Sequence, residues 1–208
     1  LDREFELVGT LLGLAIFNNH ILDLHFPLVV YKKLLGHELT LEDLKEVFPE
    51  IYRSLKWLVN MENGISSLGL HFVVDHDTGL GERVSVDLIP NGRRIKVTRH
   101  NRFKFVEFYT RFLLETSIES QFNAFRAGFL NICLSQCLHM FLPEELEQAI
   151  CGRKMIDLHS LEAHAHYSEG YRRSHRVVRW FWEFAHGLTE DGKRKLLSFV
   201  TGSIRVPI

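Results

Sequence analysis

Cysteine and histidine are the side chains here most able to do chemistry, and their neighbours decide whether they can. Cys133 and Cys137 stand four apart in NICLSQCLHM, and Cys151 falls near the start of ICGRK. A reactive thiolate needs a cationic or imidazole neighbour, or a helix N-terminus, to lower its pKa. The first two are set among Ile, Leu and Met at helical spacing, and the third precedes a helix-ending Gly152, so all three read as inert packing residues. No G-x-S-x-G elbow supplies a serine nucleophile. The stretch HSLEAHAHYSEGYRRSH holds His159, His164, His166 and His175. Metal-binding helices favour two His at i and i+4 with acidic or Cys company, whereas His159 and His164 are five apart. The run therefore reads as a polar helix and loop, and no metal ligand is assigned. Arg172, Arg173, Arg176 and Arg179 cluster, but Glu162, Glu169 and Glu183 dilute them into a solvated face. Gly79-Leu80-Gly81 lacks the Lys and the following helix of a phosphate loop and reads as a turn. These signals point to an interaction domain or a piece of an enzyme rather than a self-sufficient catalyst.

The elements that must position such residues follow from composition and period. A chain of 208 residues, 46% apolar and 25% charged, can bury a sizeable core in one large or two small domains. Sixteen Phe and three Trp make that core aromatic. A formal charge of −1 gives no global field toward nucleic acid or an anionic membrane, so neither is expected as a partner. Three cysteines without close pairing fit a reducing compartment better than a disulfide framework. With no signal-like opening and no apolar run of spanning length, the expected location is the cytoplasm, with the nucleus open.

Residues 5–17 carry apolar side chains at helical spacing on one face, with Leu7, Leu14 and Phe17 on the other, which predicts a helix buried nearly all round. Gly9 and Gly13, one turn apart, would let another backbone approach closely. Pro27 suits the first turn of a second helix that Gly36 ends. In LTLEDL, Thr40 and Asp43 form a capping-box-like start, with Leu39 poised to touch Leu44. Pro49 opens a helix with Ile51, Leu55 and Leu58 down one face. The period then changes: 71–74, 83–88 and 95–97 are short β-prone runs divided by DTGLGE and PNGR, which predicts a small antiparallel sheet. Helical spacing returns at Phe105, Tyr109, Phe112 and Leu113 and continues through Phe122, Phe125 and Phe129, with Ser117 as N-cap. Later helices are signalled by Pro143 with a stop at Gly152, and by starts near Asp157, Ser174 and Thr189. The fold class expected is α+β and helix-rich, with a short antiparallel sheet. Near the end, Leu196, Leu197, Phe199 and Val200 close a helix before Gly202. A chain stopping on Val-Pro-Ile is expected to continue beyond Ile208.

Longer strings carry a resemblance. LGLAIFNNHILDLHFPLVVYKKLLG, TLEDL and YRSLKWL, then LIPNG, VTRHN, FRAGF and PEELEQAICG, then IDLHSLEAHAHYSEGY, RWFWEF and LLSFVTGSIRVPI, run in one order along essentially the whole chain. Together they resemble the N-terminal lobe of HECT-type ubiquitin-protein ligases. The resemblance implies a helical large subdomain, here 1–41 and 119–208, interrupted at 42–118 by a small α/β subdomain that recruits a ubiquitin-charged conjugating enzyme. It implies a transferase whose catalytic cysteine lies in a smaller C-terminal lobe, within a Thr-Cys-Phe-like string that these 208 residues lack, so no catalytic residue is assigned here. Ubiquitin would pass by transthiolation to that cysteine and then to substrate lysines, with substrates held by regions outside this lobe. No cofactor is expected.

By the same resemblance, the conjugating enzyme inserts an aromatic loop residue into an apolar groove. Its walls would be Ile51, Ser54, Leu55 and Leu58 on the helix after Pro49, with Met61 at its end. Leu68 and Leu70 would come from the first strand, and Phe105 and Tyr109 from the helix after VTRHN. Helix geometry independently puts Ile51, Leu55 and Leu58 on one face, and Phe105 with Tyr109 on another. Some branches of the family hold a second, non-covalent ubiquitin, and the matching positions are Phe17 and Leu114. The alternative is a non-catalytic helical adaptor that binds another protein through the same groove.

Overall fold

Backbone-breaking residues lay out the chain as a succession of capped helices. The computed structural model of the protein describes residues 2–22, 24–77, 83–133, 138–152 and 156–202. Helix α1 spans Asp2–Phe17 and α2 spans Leu28–Leu34, the latter entered through Pro27 in extended conformation. The carboxylate of Asp43 accepts from the Thr40 backbone N–H at 2.8 Å and from Thr40 Oγ1 at 3.1 Å. This capping box starts a short 3-10 turn that leads into α3, Leu44–Val47. Pro49 then takes the first position of α4, Pro49–Asn60, where its missing N–H costs nothing.

A two-stranded antiparallel sheet follows, β1 Val73–Asp77 with β2 Arg83–Asp87, in a register that pairs Val74 with Val86 and Asp75 with Ser85. The connection predicted as a turn, 78–82, lies outside the described residues. The third β-prone run, 95–97, is not a strand. The turn at Pro90-Asn91-Gly92 folds it back so that a single bridge, His71 to Lys96, is all that pairs. Gly92 is obligatory in that turn, because a Cβ there would lie 2.2 Å from the Phe72 carbonyl oxygen.

Helix α5 covers Arg102–Leu114 and α6 covers Glu119–Leu130. Ser117, expected to cap α6, instead sits in the intervening 3-10 turn and donates its hydroxyl back to the Leu113 carbonyl at 3.2 Å. Four more helices follow among the described residues: α7 Pro143–Cys151, α8 Leu158–Ala163, α9 Arg176–His186 and α10 Glu190–Thr201. Asp157, His175 and Thr189 cap the last three, and Gly202 ends α10 at φ 76°, a left-handed conformation glycine adopts without strain. The expected start at Ser174 is thus shifted by one residue. The fold is α+β and helix-rich, and no helix among the described residues is long and apolar enough to cross a membrane.

Among the described residues the core falls into three clusters. One gathers buried residues between Leu44 and Leu114, including Phe72, Val74, Val97, Phe105 and Phe112. A second joins Leu12, Tyr31 and Leu34 to Phe125, Phe129, Leu146 and Ile150. Its centre is the crossing of α1 on α6, where Gly9 and Gly128 meet opposing backbone. A Cβ on Gly9 would come within 1.9 Å of the Phe125 carbonyl oxygen, and one on Gly128 within 1.9 Å of that of Glu6. The third cluster unites Ile156, Leu158, Ala185 and Leu197.

The expectation that α1 is buried all round is overturned. Gly9, Leu12, Gly13 and Ala15 face the protein, while Leu7, Leu11 and Phe17 are 58%, 51% and 76% exposed. The elements packed on α1 cover only the stripe that carries its glycines, so apolar side chains on the other side stay in solvent.

Candidate functional site

Two helices and one turn build an apolar groove over the core cluster that runs from Leu44 to Leu114. On α4, residues three and four apart share a face, which brings Ser54, Leu55 and Leu58 into one line. On α5, Phe105 and Tyr109 are related in the same way, with ring centroids 5.8 Å apart in an edge-to-face arrangement. Arg102 fixes the two helices to each other: its Nε donates to the Val59 carbonyl at the end of α4 at 3.1 Å. The loop into α5 is held by Asn101, whose Oδ1 accepts from the Thr98 N–H at 2.7 Å while its Nδ2 donates to the Lys96 carbonyl at 3.0 Å. Beneath lies Phe72, 1% exposed, its ring edge-on to Phe105 at 5.4 Å.

The resulting cavity is about 460 Å³ and is lined by Ser54, Leu55, Leu58, Leu70, Phe105 and Tyr109, with Arg53 and Trp57 completing the rim. Its floor and walls differ in burial. Leu55, Leu58 and Phe105 are 3–4% exposed, whereas Leu70 is 37% and Trp57 56% exposed. Burial, with the negative charge of Asp75 behind it, pushes the Tyr109 phenol above its ordinary pKa, so it stays neutral in the groove through physiological pH. Outside the cavity lining, Tyr52 and Lys56, one turn apart on α4, form a polar cluster with Glu42. Lys56 donates to Glu42 at 2.5 Å and to the Tyr52 hydroxyl at 2.9 Å, and Tyr52 donates in turn to Glu42 at 2.7 Å. An apolar pocket with a buried floor, an exposed aromatic wall and exposed Arg53 at its rim has the anatomy of a protein interface around one anchoring side chain.

Six of the residues expected at this site converge on it. Ile51 instead packs against the core cluster from the start of α4, and Met61 does so from its end, near Gly64. Leu68 closes a 3-10 turn, Ile65–Leu68, and is 40% exposed without lining the cavity. Leu70 reaches the groove from the connection before β1, so neither residue belongs to the first strand. Trp57 and Arg53 were missed because they lie beside the apolar line of α4, where spacing alone reads them as solvent-facing. A large exposed aromatic three positions from Ser54 was the available signal.

Elsewhere the expected sites separate. Phe17 is exposed on α1, whereas Leu114 is 4% exposed in the core cluster that runs from Leu44 to Leu114. The Leu114 carbonyl accepts from Lys33 Nζ at 2.5 Å. Burial pulls the Lys33 pKa down, and Glu115 and Glu119 push it part of the way back. Cys151 is fully buried with the Tyr31 hydroxyl 3.2 Å from its sulfur, and Cys133 sits 3.8 Å from the Gly13 carbonyl oxygen, while Cys137 lies outside the described residues. A further cavity of about 500 Å³ opens between Ile16, Asn19, Met140 and Gln148. Glu145 in its wall is already engaged in capping α7, accepting from the Leu142 N–H at 2.9 Å.

Known proteins resemble the chain along its whole length. The model of the HECT-domain (ubiquitin-transferase) family matches residues 1–208. A probable E3 ubiquitin-protein ligase HECTD2 of Mus musculus is 37% identical over 219 residues, covering 99% of this chain and 28% of that protein. E3 ubiquitin-protein ligase pub3 of Schizosaccharomyces pombe is 38% identical over 205 residues, covering 98% of this chain and 26% of the relative. A probable E3 ubiquitin-protein ligase HERC4 of Rattus norvegicus is 38% identical over 206 residues, covering 98% and 19% respectively. The chain thus spans about a quarter or less of the length of these relatives.

Proposed function

Because the chain belongs to the HECT-domain family of ubiquitin-transferases, we propose that its groove recruits a ubiquitin-charged conjugating enzyme by seating an aromatic residue of that enzyme. The observation that carries this reading is the 460 Å³ apolar cavity between α4 and α5, walled by exposed Trp57 and Leu70 and floored by buried Leu55, Leu58 and Phe105. A groove of that size has room for an aromatic side chain together with its neighbours, and an aromatic seated in an apolar pocket is how a small contact area yields a strong anchor.

In the whole protein, ubiquitin then moves by transthiolation. A ligase thiolate attacks the thioester carbonyl carbon of ubiquitin, a new carbon–sulfur bond forms, and the conjugating enzyme's sulfur leaves as thiolate. A substrate lysine amine attacks the second thioester, the carbon–nitrogen bond of an isopeptide forms as the nitrogen loses a proton, and the ligase sulfur leaves as thiolate. The groove performs no bond-making step. It raises the effective concentration of the thioester near the acceptor, converting a bimolecular encounter into a local one. Neither Cys133 nor Cys151 is assigned as acceptor, since both are packed against other elements rather than beside a base.

The test is a titration of the protein with a conjugating enzyme and with the same enzyme carrying its loop aromatic replaced by Ala. Binding that falls at least tenfold with the replacement supports the groove. Equal binding by both enzymes would remove it, and binding by neither would favour the adaptor reading.

A further inference from the structure

Away from the groove, α8 and the end of α9 bring three ligating side chains together: His159, Glu162 and His186. One ligand atom from each lies within 4.8 Å of the others. His159 and Glu162 are three apart on α8 and so share its face. His186, the last residue of α9, meets them from the neighbouring helix, with its Nε2 2.7 Å from Glu162 Oε2. The two imidazoles stack at 4.0 Å with planes 13° apart.

We propose that this cluster is a binding site for a divalent transition-metal ion of the zinc type, which would clamp α8 to the C-terminal end of α9. The donor set is two imidazole nitrogens and one carboxylate oxygen, which suits zinc and its neighbours and not magnesium or calcium. With metal–ligand bonds of about 2.0–2.1 Å, tetrahedral donors stand roughly 3.3 Å apart. The His186 and Glu162 donors stand 2.7 Å apart and all three lie within 4.8 Å of one another, so small shifts reach that spacing. The 2.7 Å hydrogen bond opens by a fraction of an ångström when the ion replaces its proton, and the His159 ring turns its nitrogen to the ion. His159 is exposed, so its ring is free to tilt out of the stack and give the ion an entry path.

The surroundings supply orientation. Trp182, one turn before His186, lies against its ring at 5.9 Å, and the Trp182 Nε1–H is itself held by the Tyr167 hydroxyl at 3.0 Å. Arg173 reaches the other carboxylate oxygen of Glu162 at 3.9 Å. Such outer partners fix the rotamers of ligating side chains. Water completes the coordination.

Zinc titrated by calorimetry into the metal-stripped protein tests the site. A single ion per chain is expected, with a melting temperature that climbs with zinc concentration, because an ion bound by the folded chain stabilises it by mass action. Loss of an outer-shell partner typically weakens metal binding about 10–100-fold. His159→Gln, Glu162→Gln and His186→Gln should each do at least as much, while His164→Gln and His166→Gln leave affinity unchanged. His159 is exposed, so its variant keeps the fold even if the His186 variant does not. Absence of saturable zinc binding, wild-type affinity in His159→Gln, or equal losses in His164→Gln and His166→Gln would overturn the proposal.

Discussion

Phe105 lines the groove, yet at 4% exposure with its ring edge-on to Phe72 it belongs equally to the core. Truncating such a residue removes transfer free energy and leaves a cavity, which for Phe→Ala costs about 3–5 kcal/mol. Phe105→Ala should therefore unfold at lower denaturant, and a urea melt shifted by that amount checks it. Any binding loss in that variant confounds two effects. Trp57 carries no such burden. It is 56% exposed at the rim, so its removal subtracts contact area from a partner and little from the fold. On the proposed function, the floor of the groove serves stability and its rim recognition. Spacing on α4 and α5 identified the floor, because the same 3.6-residue period that makes a core makes the pocket under it. Trp57 escaped that logic, since an exposed residue beside the apolar line of α4 lies outside its pattern.

Among the elements, the crossing of α1 on α6 depends on glycine. Ala is the better helix former by about 1 kcal/mol, so propensity alone predicts that Gly128→Ala stabilises. The structure predicts the opposite sign. The new Cβ would meet the Glu6 carbonyl at 1.9 Å, and backbone cannot move aside as a flexible side chain can. Overpacking of this kind typically costs about 1–3 kcal/mol, and a lowered melting temperature for Gly128→Ala checks the sign. The sequence showed that Gly9 and Gly13 permit close approach, and it showed the Thr40 to Asp43 cap, the Pro49 start and the Gly152 and Gly202 stops. These are local chemistry, readable within a few residues. Whether α1 had a partner on each side was not local, and apolar periodicity cannot count partners. The same limit applies to 95–97, whose β-prone side chains are folded back by the turn at Gly92, and to His186, which meets His159 only through tertiary packing.

At the scale of the molecule, a formal charge of −1 provides little repulsion between copies, while large apolar side chains remain in solvent. Leu11 and Phe17 project from α1, Trp180 and Phe184 from α9, and Phe199 and Val200 from α10, the last pair 89% and 67% exposed. Surfaces of this kind mark contact sites in folded proteins. The isolated protein should associate as its concentration rises, and sedimentation velocity should show less of this for Phe17→Ser combined with Phe199→Ser. The central claim, that the groove between α4 and α5 recruits a conjugating enzyme, is tested most directly by one comparison. It is the affinity of the ubiquitin-charged enzyme for the wild-type protein and for Trp57→Ala, with melting curves on both. Truncating an anchoring aromatic at an interface costs about 2 kcal/mol or more, which is roughly a 30-fold loss of affinity. The account predicts that loss with the melting temperature unchanged, and wild-type affinity in a folded Trp57→Ala protein would contradict it.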